Sequence, residues 1–190
     1  AKKVIKAIDL GIQRLQNKTI WLQNAQKQLE NTLSKLKLDE ISDWTKKQRD
    51  LYKNYYEELQ KVKSIITYYK RIKEITNKQT RLIQEYESAW NLFKQDSHFS
   101  ADELDYMQKV YSGILEESMK NIDQIFLILE SFTTQMSDLK RLEIINAAAD
   151  QIDANYDDLR LFNKQNVLLS LQRAKTSSDV NKVKQFYGIP

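Results

Sequence analysis

Along the first forty residues, apolar side chains recur at alternating steps of three and four. With Ile5 at heptad position a, the successive a and d sites are Ile5, Ile8, Ile12, Leu15, Thr19, Leu22, Gln26, Leu29, Leu33 and Leu36. This spacing predicts one helix with a narrow apolar seam, which needs a partner helix lying along it at a shallow angle. Thr19 and Gln26 read as core-edge residues, with register fixing as the alternative. A connection is expected over Leu38–Asp43, with Ser42 or Asp43 capping the second helix. The second pattern runs through Trp44, Gln48, Leu51, Tyr55, Leu59, Val62, Ile66, Tyr69 and Ile72, then less cleanly to Leu82, Tyr86, Ala89 and Phe93. The polar patch Thr76–Thr80 contains neither Gly nor Pro, so the helix is expected to run unbroken from about residue 43 to 95, nearly 80 Å.

The next boundary is the best defined. Ser100 and Glu103 have the spacing of a capping box, and Phe99 and Leu104 that of the hydrophobic staple across it. Residues 95–98 are therefore a turn, and a third helix is expected over about 101–135. Its apolar residues close nearly all round at 125–129, which predicts the deepest burial there. A turn at Thr133–Ser137, with Ser137 as cap, precedes a fourth helix over about 138–175. Ala147, Ala148 and Ala149 allow a neighbour to approach it closely. Thr176–Ser178 caps a short last helix that stops at Gly188. Short turns between long helices imply antiparallel neighbours. The predicted fold is all-α: an elongated antiparallel helical bundle with long coiled-coil-like helices and a short C-terminal helix. It forms a single domain over 1–190, with a helical hairpin over about 1–98 and the C-terminal helices over about 99–190.

Composition agrees with this and removes chemistry. The 190 residues include three Gly and one Pro, about 2% against a usual share of roughly 12%. Glycine-dependent phosphate loops and Rossmann units are thereby poorly supported. With no Cys and one His, the common zinc, haem and iron–sulfur ligand sets cannot be assembled, and no cofactor is expected. His98 reads as a surface or cap-packing residue. The carboxylate pairs Glu57-Glu58, Glu116-Glu117 and Asp157-Asp158 read as solvated helix faces, because adjacent helical residues point about 100° apart. No run approaches the roughly 18 apolar residues of a membrane span. No enzymatic site is expected.

Charge is unevenly placed. Residues 1–98 carry 20 basic and 12 acidic side chains, a net of +8, and residues 99–190 carry 10 and 14, a net of −4. Residues 46–81 hold eleven basic residues against four acidic ones, including Lys46, Lys47, Lys70 and Arg71, interleaved with Tyr52, Tyr55, Tyr56, Tyr68 and Tyr69. Such a stripe suits a nucleic-acid backbone with bases stacked on the rings. Helical spacing, however, places Tyr55, Tyr69 and Tyr52 on the buried side. A solvated helix leaning on the acidic C-terminal half is the stronger reading, and nucleic acid ranks below protein as a partner. Trp21, Tyr56 and Tyr68 lie off the main seam, and with Lys46, Lys47, Lys70 and Arg71 they are the candidate partner-binding residues.

Several phrases carry a family likeness. They are Arg14-Leu15-Gln16-Asn17-Lys18-Thr19-Ile20-Trp21-Leu22-Gln23-Asn24-Ala25, Phe99–Leu104 leading into Tyr111-Ser112-Gly113-Ile114-Leu115-Glu116-Glu117-Ser118, Asn155-Tyr156-Asp157-Asp158-Leu159-Arg160, and Ser170–Lys175 with Val183–Gly188 after it. Together they resemble the TraI-type conjugal transfer proteins of Bacteroidetes conjugative transposons, along nearly the whole chain. The enterobacterial relaxase of the same name is unrelated. The resemblance implies a non-enzymatic structural or adaptor component of a conjugative, type IV secretion-like apparatus. It would be periplasmic or exported, its signal peptide removed, and contact other apparatus proteins, with homo-oligomer formation open to it. A nucleic-acid-binding accessory protein using residues 46–81 is the alternative.

Overall fold

The computed structural model describes the backbone of residues 2–35, 53–130 and 136–190, and side-chain environments over 10–31, 63–128 and 136–190. Five helices account for nearly all of it: α1 (Lys2–Lys35), α2 (Lys53–Phe93), α3 (Ala101–Glu130), α4 (Asp138–Arg173) and α5 (Ser177–Tyr187). No strand occurs among the described residues. The all-α bundle expected from the periodicity is the observed fold.

Four helix ends have a chemical cause. Ser100 and Glu103 form the reciprocal box, with Ser100 N donating to Glu103 Oε2 at 2.9 Å and Glu103 N to Ser100 Oγ at 3.3 Å. Ser137 caps α4 by accepting from Lys140 N, and Thr176 caps α5 by accepting from Asp179 N. Gly188 ends α5 in the left-handed region, φ 65°, where a side chain would be strained. The predicted connection at 38–43 and most of the turn at 133–137 fall outside the described residues.

Helix α2 is continuous through Thr76–Thr80 for 41 residues, about 62 Å of helix. Thr76 and Thr80 return their hydroxyls to the backbone carbonyls of Ile72 and Thr76, at 2.7 and 3.0 Å. Gln79 is fully buried and accepts a hydrogen bond from the Ser118 hydroxyl of α3 at 2.8 Å. The polar patch is thus a layer of the core rather than a break in the helix.

Helices α1, α2, α4 and α3 succeed one another around the bundle in that order. Antiparallel packing of α2 and α3 is fixed by the pairs Gln79–Ser118, Tyr86–Tyr111 and Phe93–Phe99. The pairs Tyr68–Asp138, Lys78–Asp153 and Asp96–Ser170 make α2 and α4 parallel. Lys18–Asp123 and Trp21–Phe126 do the same for α1 and α3. This corrects one expectation. The short turn over 94–100 joins two antiparallel helices that stand diagonally opposite, not side by side. The α1–α2 hairpin and the α3–α4 pair therefore stand side by side and close one shared core between them.

That core takes Leu15, Leu22 and Leu29 from α1, as the heptad requires, with Thr19 buried among them. Thr19 donates its hydroxyl to Leu15 O at 2.9 Å, so it costs the seam no unpaired group. From α2 come Tyr68, Ile72, Ile75, Leu82, Tyr86, Trp90 and Phe93. Near the 94–100 turn the core is aromatic: Tyr111 packs edge-on against Tyr86, Trp90 and Phe162, with centroids 4.8, 5.8 and 5.2 Å away. The deepest-burial expectation at 125–129 holds only in part. Ile125 and Ile128 are buried, but Leu127 is 66% exposed, because a bundle helix turns one stripe inward whatever the composition of the others.

Candidate functional site

One surface and one polar cluster concentrate the chemistry. The surface is a groove of about 630 Å³ between α1 and α3. Its floor is Trp21, whose ring lies 4.0 Å centroid to centroid from Phe126, with Met119 and Ile122 beside it. Lys18 closes one wall through an ion pair with Asp123. Arg14, Asn17, Glu116 and Lys120 line the rim. Parallel packing of α1 on α3 sets Trp21 beside Phe126, and partial exposure leaves an aromatic face at the surface.

The other sequence-derived candidates are not brought together here. Tyr68 is corrected outright: it is 1% exposed, a member of the core rather than an accessible aromatic. Its hydroxyl donates to Asp138 Oδ1 at 3.1 Å. Burial, then the contact with Asp138, pushes its pKa up to about 12. The ring expected inside, Tyr69, is only half-buried, with Lys73 lying over it at 6.0 Å. The reason is register. The stripe extrapolated from Tyr55 and Leu59 reaches Tyr69, whereas the buried set Tyr68, Ile72, Ile75, Gln79, Leu82 and Tyr86 keeps strict three-four spacing only if Gln79 counts as core.

Lys70 is exposed, and Arg71 pairs with Glu74 at 2.8 Å. Tyr56 lies on α2 outside the described side chains, and Lys46 and Lys47 lie outside the described residues. Within the described part of the stripe, Lys78 is also engaged: it pairs with Asp153 at 3.0 Å and covers the Tyr156 ring at 5.0 Å. Lys18–Asp123 and Lys78–Asp153 both join the basic N-terminal half to the acidic C-terminal half.

The polar cluster sits where the 94–100 turn meets α4 and α5. Asp96 is buried, and its Oδ2 accepts from the Ser170 and Tyr187 hydroxyls, both at 2.5 Å. Its Oδ1 accepts from the His98 backbone N at 2.9 Å and meets His98 Nδ1 at 2.7 Å. Burial raises the pKa of Asp96, but these four hydrogen bonds outweigh it and hold the carboxyl below its ordinary value. His98 Nε2 faces Asp179 Oδ2 on α5 at 3.4 Å. The Asp96 hydrogen bond chiefly, and then Asp179, raises the His98 pKa against the cost of burial. Beside them, Arg173 donates to His98 O at 2.7 Å and to Glu103 Oε2 at 2.8 Å.

Ser170, His98 and Asp96 are residue types that elsewhere form a nucleophilic relay. A relay needs the hydroxyl on the imidazole nitrogen opposite the carboxylate. Here Ser170 is fully buried, its hydroxyl donates to Asp96, and both imidazole nitrogens face carboxylates. The arrangement fastens α4 and α5 to the turn. Sequence reasoning placed His98 at a cap but missed Asp96, Ser170 and Tyr187. Residues 74 and 91 positions apart from Asp96 give no local signal of meeting it.

The fold and these features define an all-α bundle with a half-buried aromatic groove on one face and a hydrogen-bonded lock at one end. No family model matches the chain, and neither a curated protein nor a solved structure does. Among the described residues, no group of acidic and histidine side chains has the arrangement of a metal site, and no helix is long and apolar enough to cross a membrane.

Proposed function

We propose that this chain is a non-enzymatic structural or adaptor component of a conjugative, type IV secretion-like DNA transfer apparatus, acting in the periplasm through helix-face contacts with other transfer proteins. The apparatus and compartment rest on the phrase-level resemblance at 14–25, 99–118, 155–160 and 170–188. The mode of action rests on the Trp21–Phe126 groove. A large aromatic pair, half-buried between two helices and rimmed by charge, is the kind of surface on which protein contacts concentrate their energy.

The test is cross-linking during conjugation, with a photoreactive residue at Asn17 or Glu116 on the rim of the groove. The expected result is an adduct with another transfer protein, lost together with transfer when Trp21 is replaced by Glu. Absence of an adduct from both positions, with transfer unaffected by Trp21→Glu, would overturn the proposal.

A further inference from the structure

Helix α4 is built with its polarity partly reversed. Its buried residues include Asn155, Asn163, Asn166 and Ser170, while Leu161 and Leu168 point outward, 56% and 48% exposed. Two of the inward polar groups are held by other parts of the bundle: Asn163 Oδ1 accepts from the Tyr111 hydroxyl at 2.6 Å, and Ser170 bonds Asp96. Asn166 donates to Phe162 O of its own helix at 3.0 Å. Leu161 and Leu168 are two helical turns apart on one stripe, and both line a groove of about 660 Å³ between α2 and α4. Its walls are Ala89 and Leu92 of α2 and Val167 and Leu171 of α4. Single exposed leucines are ordinary; a pair bordering an apolar groove is the signature of an interaction surface.

Its charge selects the occupant. Arg160 and Lys164 are exposed and line the groove. Arg160 lies over the Tyr156 ring at 5.8 Å, and neither cation has a carboxylate within ion-pair distance among the described residues. The one carboxylate of the lining, Glu85, accepts from Asn163 at 3.4 Å. The groove therefore offers an apolar channel with two positive charges open to a partner. Because α1, α2, α4 and α3 succeed one another around the bundle in that order, it lies on the face opposite the Trp21 groove.

We infer that the α2/α4 groove docks an acidic amphipathic helix of a partner protein, with leucine-type anchors at i, i+3 or i+4, and i+7, and Asp or Glu beside them to meet Arg160 and Lys164. The chain then has binding surfaces on two opposite faces and can bridge two proteins. This surface does not depend on what the Trp21 groove binds, and its variants leave cross-links from Asn17 and Glu116 unchanged.

The test selects displayed helical peptides on the full-length chain, with counter-selection on the Leu161→Glu/Leu168→Glu variant, whose exposed positions leave the fold intact by circular dichroism. Enriched sequences are expected to carry the leucine spacing with acidic flanks. A synthesised winner should lose about tenfold in affinity to Leu168→Glu. It should lose several-fold to Lys164→Glu, an effect that shrinks as salt rises. The inference is overturned if nothing is enriched over the counter-selected variant, or if the winners are basic. It is also overturned if sedimentation shows a dimer that the double variant abolishes, since the occupant is then a second copy of the chain.

Discussion

Glu103 in the first turn of α3 is gripped by Arg173 in the last turn of α4, while the same carboxylate completes the capping box of its own helix. One side chain thus closes a local motif and ties together helix ends 70 residues apart. The Arg173 contact first, and then the Ser100 backbone N–H, lower its pKa to about 2. A carboxyl depressed in the folded state adds stability above its unfolded value, and that stability is lost as pH falls toward the folded value. Urea unfolding of wild type should therefore weaken between about pH 4.5 and pH 2 by more than that of Glu103→Gln. Ser100→Ala, which removes only the cap, should cost about 1 kcal/mol at neutral pH.

His98 behaves with the opposite sign. Both its ring nitrogens face carboxylates, Asp96 and Asp179, and both can donate only when the ring is protonated. With its pKa raised in the folded state, it contributes stability that is full below about pH 6.5 and lost as pH rises through the folded value. Thermal melts at about pH 5.5 and about pH 8.5, on either side of that window, should show a drop for wild type that His98→Asn lacks. Equal drops in both proteins would show that His98 does not fasten α5.

Tyr68 separates a core role from a binding role. If the ring fills the core and its hydroxyl bonds Asp138, Tyr68→Phe should cost about 1 kcal/mol and Tyr68→Ala about 3–5 kcal/mol in urea unfolding. Loss of partner binding without loss of stability would restore Tyr68 as a contact residue.

The Gln79–Ser118 pair lies where apolar packing would otherwise be expected. Ser118→Ala leaves the Gln79 side-chain oxygen without its buried donor and should cost about 1–3 kcal/mol. The double variant Gln79→Leu/Ser118→Ala removes both partners and should recover most of that loss. A double variant no more stable than the single one would mean that shape, rather than hydrogen bonding, dominates this layer.

Much of this was visible in the chain before folding. The α1 seam, the Ser100–Glu103 box and the Gly188 stop are local, and each depends on residues within a turn of one another. What escaped depends on partners far apart in sequence. Tyr68 replaced Tyr69 inside because the α2 stripe passes through Gln79, a residue that reads as polar until Ser118 meets it. Asp96 gathers Ser170 and Tyr187 only once α4 and α5 have returned to the turn. The Trp21 groove was half legible: Trp21 stood off the seam, but its neighbour Phe126 was hidden in an apolar run that read as buried throughout.

The diagonal placement of α2 and α3 has a consequence for how the molecule comes apart. Because α1 packs on α3 as well as on α2, and α4 on α2 as well as on α3, removing the segment on one side of the 94–100 turn leaves the other as a helical hairpin with its core face bare. Cleavage at this turn should yield two fragments that are each largely unstructured alone and regain helicity on mixing. The intact chain should unfold in one cooperative transition rather than as two hairpins in sequence.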